Sequence, residues 1–352
     1  MGATDIKSMT IDELAVAMQD LGEKSFKAKQ IYEWLHVKRV ENYEEMTNLS
    51  KDLRSKLSKR YPLSPMYIVQ CQESKIDGTR KYLLRTHDGN MIESVFMKYK
   101  HGNSICISSQ VGCRMGCVFC ASAIGGLERN LSTAEMLEQI YIIGKDTQER
   151  VSNIVIMGTG EPLDNYNSVV RFIRMVSDEN GLNISQRNIT LSTCGLVPEI
   201  KELAKEHLQI TLALSLHEPD DESRAKLMPI ARKYPLSEVI KACKDYYNET
   251  KRRLTFEYSL AAEINESPSK AKELATLLRG INCHVNLIPM NPVVERKYTQ
   301  ADYENVVKFQ KLLEKYGINV TIRREMGRDI DGACGQLRHK AQAKSVSDFI
   351  EK

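Results

Sequence analysis

From residue 104 onward the chain alternates strand-like and helix-like segments without a break, and that alternation constrains the fold more than any other feature. The strand candidates are 104–109, 153–157, 188–192, 209–215, 254–259 and 284–288, each followed by a segment of helical period. Strands joined by helix-length crossovers lie parallel, and right-handed crossovers over a parallel sheet build either a doubly wound sheet or a full or partial barrel. Six units fall short of the closed eightfold barrel. The expected class is α/β, a partial (βα)6 barrel, with a final run at 319–323 to close its edge. The helix after the first strand has a legible start, because Ser132 and Glu135 have capping-box spacing ahead of Met136, Leu137 and Ile140.

Upstream, residues 1–60 read as helical, with Ile11, Leu14 and Met18 and then Ile31, Trp34 and Leu35 at helical spacing. Between 61 and 103 the chain carries short β-branched and aromatic runs, punctuated by the hairpin dipeptides Asp77-Gly78 and Asp88-Gly89. The expected organisation is a helical N-terminal domain (1–60), a β-hairpin segment (61–103), the barrel (104–340) and a tail (341–352). The 50 Lys and Arg against 46 Asp and Glu give a formal +4, which permits nucleic-acid binding without arguing for it. The N-terminus lacks a basic start followed by an apolar core, and no run approaches the ~18 apolar residues of a membrane span. A cytoplasmic protein without membrane attachment is expected, and in a reducing compartment clustered cysteines mean metal or redox chemistry.

Cys113, Cys117 and Cys120 form such a cluster, spaced C-x3-C-x2-C in the loop after the first strand. Structural cysteines scatter rather than cluster, and structural zinc wants four ligands where no fourth Cys or His follows at short spacing. Three thiolates suit an iron-sulfur cluster whose remaining iron stays open to chelate a small molecule. In parallel α/β folds the site lies at the carboxyl ends of the strands. The second strand there ends in Gly158-Thr159-Gly160-Glu161, where Glu161 could accept from an ammonium group. The third ends at Ser192, the fourth at Ser215-Leu216-His217 and the sixth at Pro289-Met290-Asn291. Cys334 stands apart, in a small-residue loop after the last strand candidate.

The cysteine spacing and its place resemble the radical S-adenosylmethionine superfamily, whose members commonly use a six-unit partial barrel. Ser108-Ser109-Gln110-Val111-Gly112-Cys113, Gly160-Glu161-Pro162-Leu163, Ser215-Leu216-His217 and Ala333-Cys334-Gly335-Gln336-Leu337 narrow the likeness. With Lys27–Leu35 in the helical domain, the chain is similar to the RlmN/Cfr family of radical RNA methyltransferases over nearly its whole length. That resemblance implies a 4Fe-4S cluster on Cys113, Cys117 and Cys120. It also implies S-adenosylmethionine held by Gly160, Glu161, Ser192, Ser215, Leu216, His217 and Asn291.

The implied substrates are adenines of 23S rRNA and tRNA, with a flavodoxin-type electron donor and a monomeric enzyme. Cys334 would take a methyl group, lose a hydrogen atom to a 5'-deoxyadenosyl radical and add to the ring. Glu93 would accept the ring proton, and Cys106 would resolve the protein-RNA adduct as a disulfide. Pro162 and Pro289 resemble the C2-methylating branch. C8 methylation, as in the Cfr branch, is the alternative, and a non-catalytic RNA-binding protein with a structural metal is a remoter one. Lys24, Lys27 and Lys29, the Lys251-Arg252-Arg253 run and Arg323 with Arg324 are candidates for a phosphate path.

Overall fold

In the computed structural model, which describes residues 5–289, 299–330 and 337, the N-terminal helices form where the sequence period places them. Helix α1 (Ile11–Asp20) starts at a capping box between Thr10 and Glu13 and buries Leu14 and Met18. Helix α2 (Lys27–His36) buries Ile31 and Leu35. Helix α3 (Lys51–Arg60), which the periodicity does not single out, starts at Ser50 and buries Leu53 and Leu57. A fully buried Leu or Ile contributes about 1.5–3 kcal/mol, so the shared apolar stripe rather than helix propensity holds these short helices.

The segment expected as a hairpin becomes part of the main sheet. Strands β1 (Tyr67–Glu73), β2 (Arg80–Arg85), β3 (Met91–Tyr99) and β4 (Gly102–Cys106) pair antiparallel in succession. The two Asp-Gly dipeptides make the first two turns, with Gly78 and Gly89 at positive φ (71° and 87°). After β4 comes a separate small hairpin of β5 (Gln110–Gly112) and β6 (Leu127–Asn130), which the sequence reading does not anticipate. The expected first strand, 104–109, therefore ends early, at Cys106. Gly158 N–H donates to the Ile107 carbonyl and Ser109 N–H to the Thr159 carbonyl, and these bonds lead the chain out of the sheet toward the hairpin.

The alternating region follows with α4 (Thr133–Thr147), β7 (Val151–Ile156), α5 (Tyr166–Val176), β8 (Ile189–Thr193), α6 (Val197–Lys205) and β9 (Thr211–Ser215). Then come α7 (Asp221–Leu227), α8 (Leu236–Thr250), β10 (Leu254–Leu260), α9 (Pro268–Leu277), β11 (Cys283–Pro289), α10 (Tyr303–Lys315) and β12 (Val320–Ile322). The expected capping box opens α4: the Ser132 hydroxyl accepts from Glu135 N–H, and the Glu135 carboxylate accepts from Ser132 N–H. One sheet runs β1-β2-β3-β4-β7-β8-β9-β10-β11-β12, parallel from β4 onward. Cys106 on β4 and Arg323 just beyond β12 line the same cavity, so the parallel part curls into a partial barrel.

The N-terminal helices are fastened to α4 by polar contacts. Lys7 pairs with Glu138, both buried, Ser8 Oγ accepts from Ala134 N–H (2.9 Å), and His36 Nδ1 hydrogen bonds the Tyr141 hydroxyl (2.7 Å). Burial holds His36 down to about 3 from its ordinary 6.5, and its Nε2 is buried without a partner among the described residues. Between those pH values the unfolded chain binds a proton that the folded one does not. The contribution of neutral His36 is therefore complete above pH 6.5 and is lost as the pH falls from there toward 3. Urea melts of wild type and His36→Asn should diverge in their pH dependence below 6.5, by up to about 1.4 kcal/mol per pH unit. Parallel curves would exclude the assignment.

Candidate active site

The hairpin β5–β6 forms the neck of the cysteine loop. A Cβ at Gly112 (φ 77°) would sit 2.0 Å from the Gly126 carbonyl oxygen, so only glycine lets the two strands close. Cys113 N–H donates to that carbonyl (2.9 Å), and Val118 N–H donates to the Leu227 carbonyl at the end of α7 (3.0 Å). The loop is thus tied at its root and its middle. On β6, Arg129 forms a two-pronged pair with Glu135 (2.8 and 2.7 Å), which locks the hairpin to the start of α4.

Cys113, Cys117 and Cys120 share one cavity of about 350 Å3 at the carboxyl ends of the parallel strands. Burial pushes the Cys113 thiol up to about 12 and the Cys117 thiol higher still, and the neighbouring cysteines and Glu161 act in the same direction. Such thiols stay protonated until a cation replaces their protons. Among the described residues no group of three His, Cys, Asp or Glu converges on a single metal ion. Three soft donors without a fourth fit a polynuclear iron-sulfur cluster, in which each thiolate binds its own iron, better than tetrahedral zinc.

The glycines after β7 allow the chain to pass close to the segment 107–110. A Cβ on Gly158 would lie 2.7 Å from the Ile107 carbonyl group, and one on Gly160 2.7 Å from Gln110 Cβ. Gly160 and Glu161 both reach the cavity. The Glu161 carboxylate accepts from Leu163 N–H (3.1 Å) and Cys194 N–H (2.8 Å), one on each oxygen, while its own N–H donates to Gln110 Oε1 (2.8 Å). Glu161 thus staples the loops after β7 and β8 together, and each oxygen keeps a further lone pair with which to accept.

Ser192 on β8 and Ser215 on β9 face each other across the cavity wall, Oγ to Oγ 3.4 Å. His217 also lines the cavity, at a positive φ of 60°. Its Nδ1 accepts from Ser259 N–H (3.0 Å), which places the proton on Nε2, and burial holds the ring down to about 3. It is therefore a neutral imidazole at physiological pH, set edge-on to Phe119 of the cysteine loop at 4.9 Å. Leu216 is buried behind the rim rather than lining the cavity, with its N–H given to the Glu257 carbonyl and its own carbonyl taken by Arg224.

Cys106 closes β4 and lines the cavity with 5% exposure. Glu93, on β3, is buried and ion-paired to the fully buried Lys81 on β2 at 3.0 Å. It lies on the strand face shared by Val95, Met97 and Tyr99, all of which line the cavity. Asn291 and Cys334 lie outside the described residues.

Other lining residues are absent from the sequence reading. Glu257 and Ser259 point inward from β10, and Asn286 Nδ2 donates to Glu257 Oε2 (2.9 Å). Burial raises the Glu257 carboxyl above the usual range, against the pull of Arg323. The alternation in 254–259, polar Glu257 and Ser259 against apolar Phe256 and Tyr258, is the signal that could have found them. Tyr99 and Met97 also line the cavity, and so do Arg323 and Arg324, which were expected on a phosphate path.

Comparison with known proteins agrees with this geometry. Residues 107–278 match the radical SAM superfamily model, and residues 4–62 match that of the ribosomal RNA large subunit methyltransferase N-terminal domain. A Lachnoclostridium phytofermentans protein named as a probable dual-specificity RNA methyltransferase RlmN is 60% identical over 342 residues, covering 97% of this chain and 96% of that protein. One of the same name from Lachnospira eligens is 58% identical over 337 residues, covering 96% of each. The crystal structure of a radical SAM methyltransferase from Sphaerobacter thermophilus superposes with a TM-score of 0.90 at 42% identity, covering 94% of this chain and 98% of that one.

Proposed function

The chain belongs to the RlmN-type radical S-adenosylmethionine RNA methyltransferases, and from that premise we propose that it methylates C2 of adenine in 23S rRNA and in tRNA. Its cofactors are a 4Fe-4S cluster and S-adenosylmethionine. The observation that carries the reading is the convergence of Cys113, Cys117 and Cys120 with Cys106, Ser192, Ser215 and His217 around one cavity. Cys113, Cys117 and Cys120 would hold the cluster. Gly160 and Glu161, with Ser192, Ser215, His217 and Asn291, would form the S-adenosylmethionine site, and Leu216 would back it from behind the rim.

When bound, these groups supply an electron and a carbon radical, which a ring carbon without an acidic proton requires. The chain's own residues do the rest. Cys334 carries the methyl group to the ring, Glu93 takes the ring proton, and Cys106 attacks the Cys334 sulfur so that RNA leaves and a disulfide remains. The carboxylate of Glu93 is held in place by Lys81, and its strand face leads into the cavity, which suits a proton acceptor. An adenine must leave its stack to reach such an enclosed site, which favours a loop or single-stranded substrate. A flavodoxin-type reductant supplies electrons, and the enzyme works as a monomer in the cytoplasm.

Nucleoside mass mapping of 23S rRNA and tRNA after incubation with the reconstituted enzyme tests the reading. 2-Methyladenosine is expected in both. 8-Methyladenosine alone would move the enzyme to the other ring position, and modification of one RNA only would remove the dual substrate.

A further inference from the structure

Arg224 on α7 has 0% exposure, and a charge withdrawn from water is costly unless an anion offsets it. Its hydrogen-bond partners are neutral. Nε donates to the Leu216 carbonyl (3.2 Å) and Nη2 to the carbonyls of Cys194 (2.7 Å) and Ser215 (3.3 Å), while Nη1 is buried with no partner among the described residues. The ionisable groups that bear on it most are the thiols of Cys194 and Cys117, followed by Asp221 one turn back on the same helix. One oxygen of Asp221 is already engaged by Leu236 N–H (2.6 Å). A guanidinium has thus been buried behind the rim of the cavity, on the helix whose last turn is stitched to the cysteine loop through Val118 and Leu227.

We propose that Arg224 is the built-in counter-charge of the iron-sulfur cluster, a positioning residue that acts on the cluster through the Cys117 side of the loop without touching substrate or iron. The proposal rests on the cluster reading of Cys113, Cys117 and Cys120. Three thiolates more than cancel the charge of an oxidised cluster core, and one-electron reduction adds a further negative charge. A fixed cation in the low-dielectric wall favours both states and favours the reduced one more. It also accounts for an arginine where methionine or leucine would be cheaper to bury: the charge is uncompensated only while the cluster is absent.

The rival role is a clip that merely gathers the carbonyls at the ends of β8 and β9. Arg224→Lys keeps the charge, and Arg224→Gln keeps a donor without it. Each variant is compared with wild type anaerobically as apoprotein and after reconstitution, by thermal melting and by an electron-paramagnetic-resonance titration of the reduced cluster. Reconstitution should raise the Tm of wild type and Arg224→Lys by more than that of Arg224→Gln. The cluster midpoint should become more negative in Arg224→Gln and stay near wild type in Arg224→Lys. An equal rise in Tm with an unchanged midpoint in Arg224→Gln would overturn the proposal and leave only the clip. Arg224→Met, of similar volume and uncharged, repeats the comparison if the glutamine variant does not fold. A wild-type protein that takes up no iron would instead sink the cluster reading, and the role of Arg224 with it.

Discussion

Replacing Cys117 by alanine is expected to abolish cleavage of S-adenosylmethionine while leaving the fold in place. Two thiolates cannot secure the cluster that three hold, so the protein should purify with little iron after reconstitution. Formation of 5'-deoxyadenosine should fall at least about 10^3-fold, roughly 4 kcal/mol or more of lost barrier reduction. The loop itself should survive, because its ties are backbone bonds: Cys113 N–H to the Gly126 carbonyl and Val118 N–H to the Leu227 carbonyl. A buried thiol exchanged for a methyl group costs on the order of 1 kcal/mol, which a melting curve would register as a small shift. Anaerobic iron and sulfide analysis with quantification of 5'-deoxyadenosine is the measurement. A Cys117→Ala protein that keeps full iron and cleaves at the wild-type rate would remove these cysteines from the cluster.

Replacing Cys106 by alanine should instead spare the early chemistry and block its end. On the proposed route, cluster loading and methylation of Cys334 do not call on this thiol, so both should proceed at the wild-type rate. On that route release of the RNA would need a second sulfur to attack Cys334, and without it a covalent protein-RNA species should accumulate after a single turnover. Denaturing gels with labelled RNA, followed by nuclease digestion and mass analysis of the Cys334 peptide, would detect it. Continued multiple turnover in Cys106→Ala would show that the resolving thiol lies elsewhere. The two variants also separate the two halves of the cysteine chemistry, since only the first should lower iron content.

The relation between sequence and site is uneven in an instructive way. Glu161 lies in a glycine-flanked strand end and looks like a free acceptor, yet its carboxylate also takes the amides of Leu163 and Cys194. Leu216 sits between two residues that line the cavity and does not line it itself. Glu257 and Ser259 line it from a strand whose end attracts no notice as a motif. The deciding contacts join positions tens of residues apart, and only the alternation in 254–259 leaves a local trace of one of them. Arg224 makes the point most sharply. Its neighbours on the helix, Asp221, Glu222 and Lys226, are exposed, but the helix turns that one side chain inward beneath the rim.

What the sequence determined by itself is whatever is encoded in short-range periodicity and spacing. The strand-helix alternation, the Ser132–Glu135 capping box, the Asp-Gly turns and the C-x3-C-x2-C loop all act over a few residues, within reach of one turn or one strand pair. Tertiary structure alone decided that β1–β3 extend the main sheet rather than stand apart, and that β4 stops at Cys106. It also decided that Glu93 meets Lys81, that His217 stays neutral, and that a guanidinium is held behind the cysteine loop. The physical reason is common to all of them. Pairing of sheet edges, burial and the charge a side chain can bear depend on what the folded chain brings against it from a distance, and the free energy of those contacts exists only once the layers have packed.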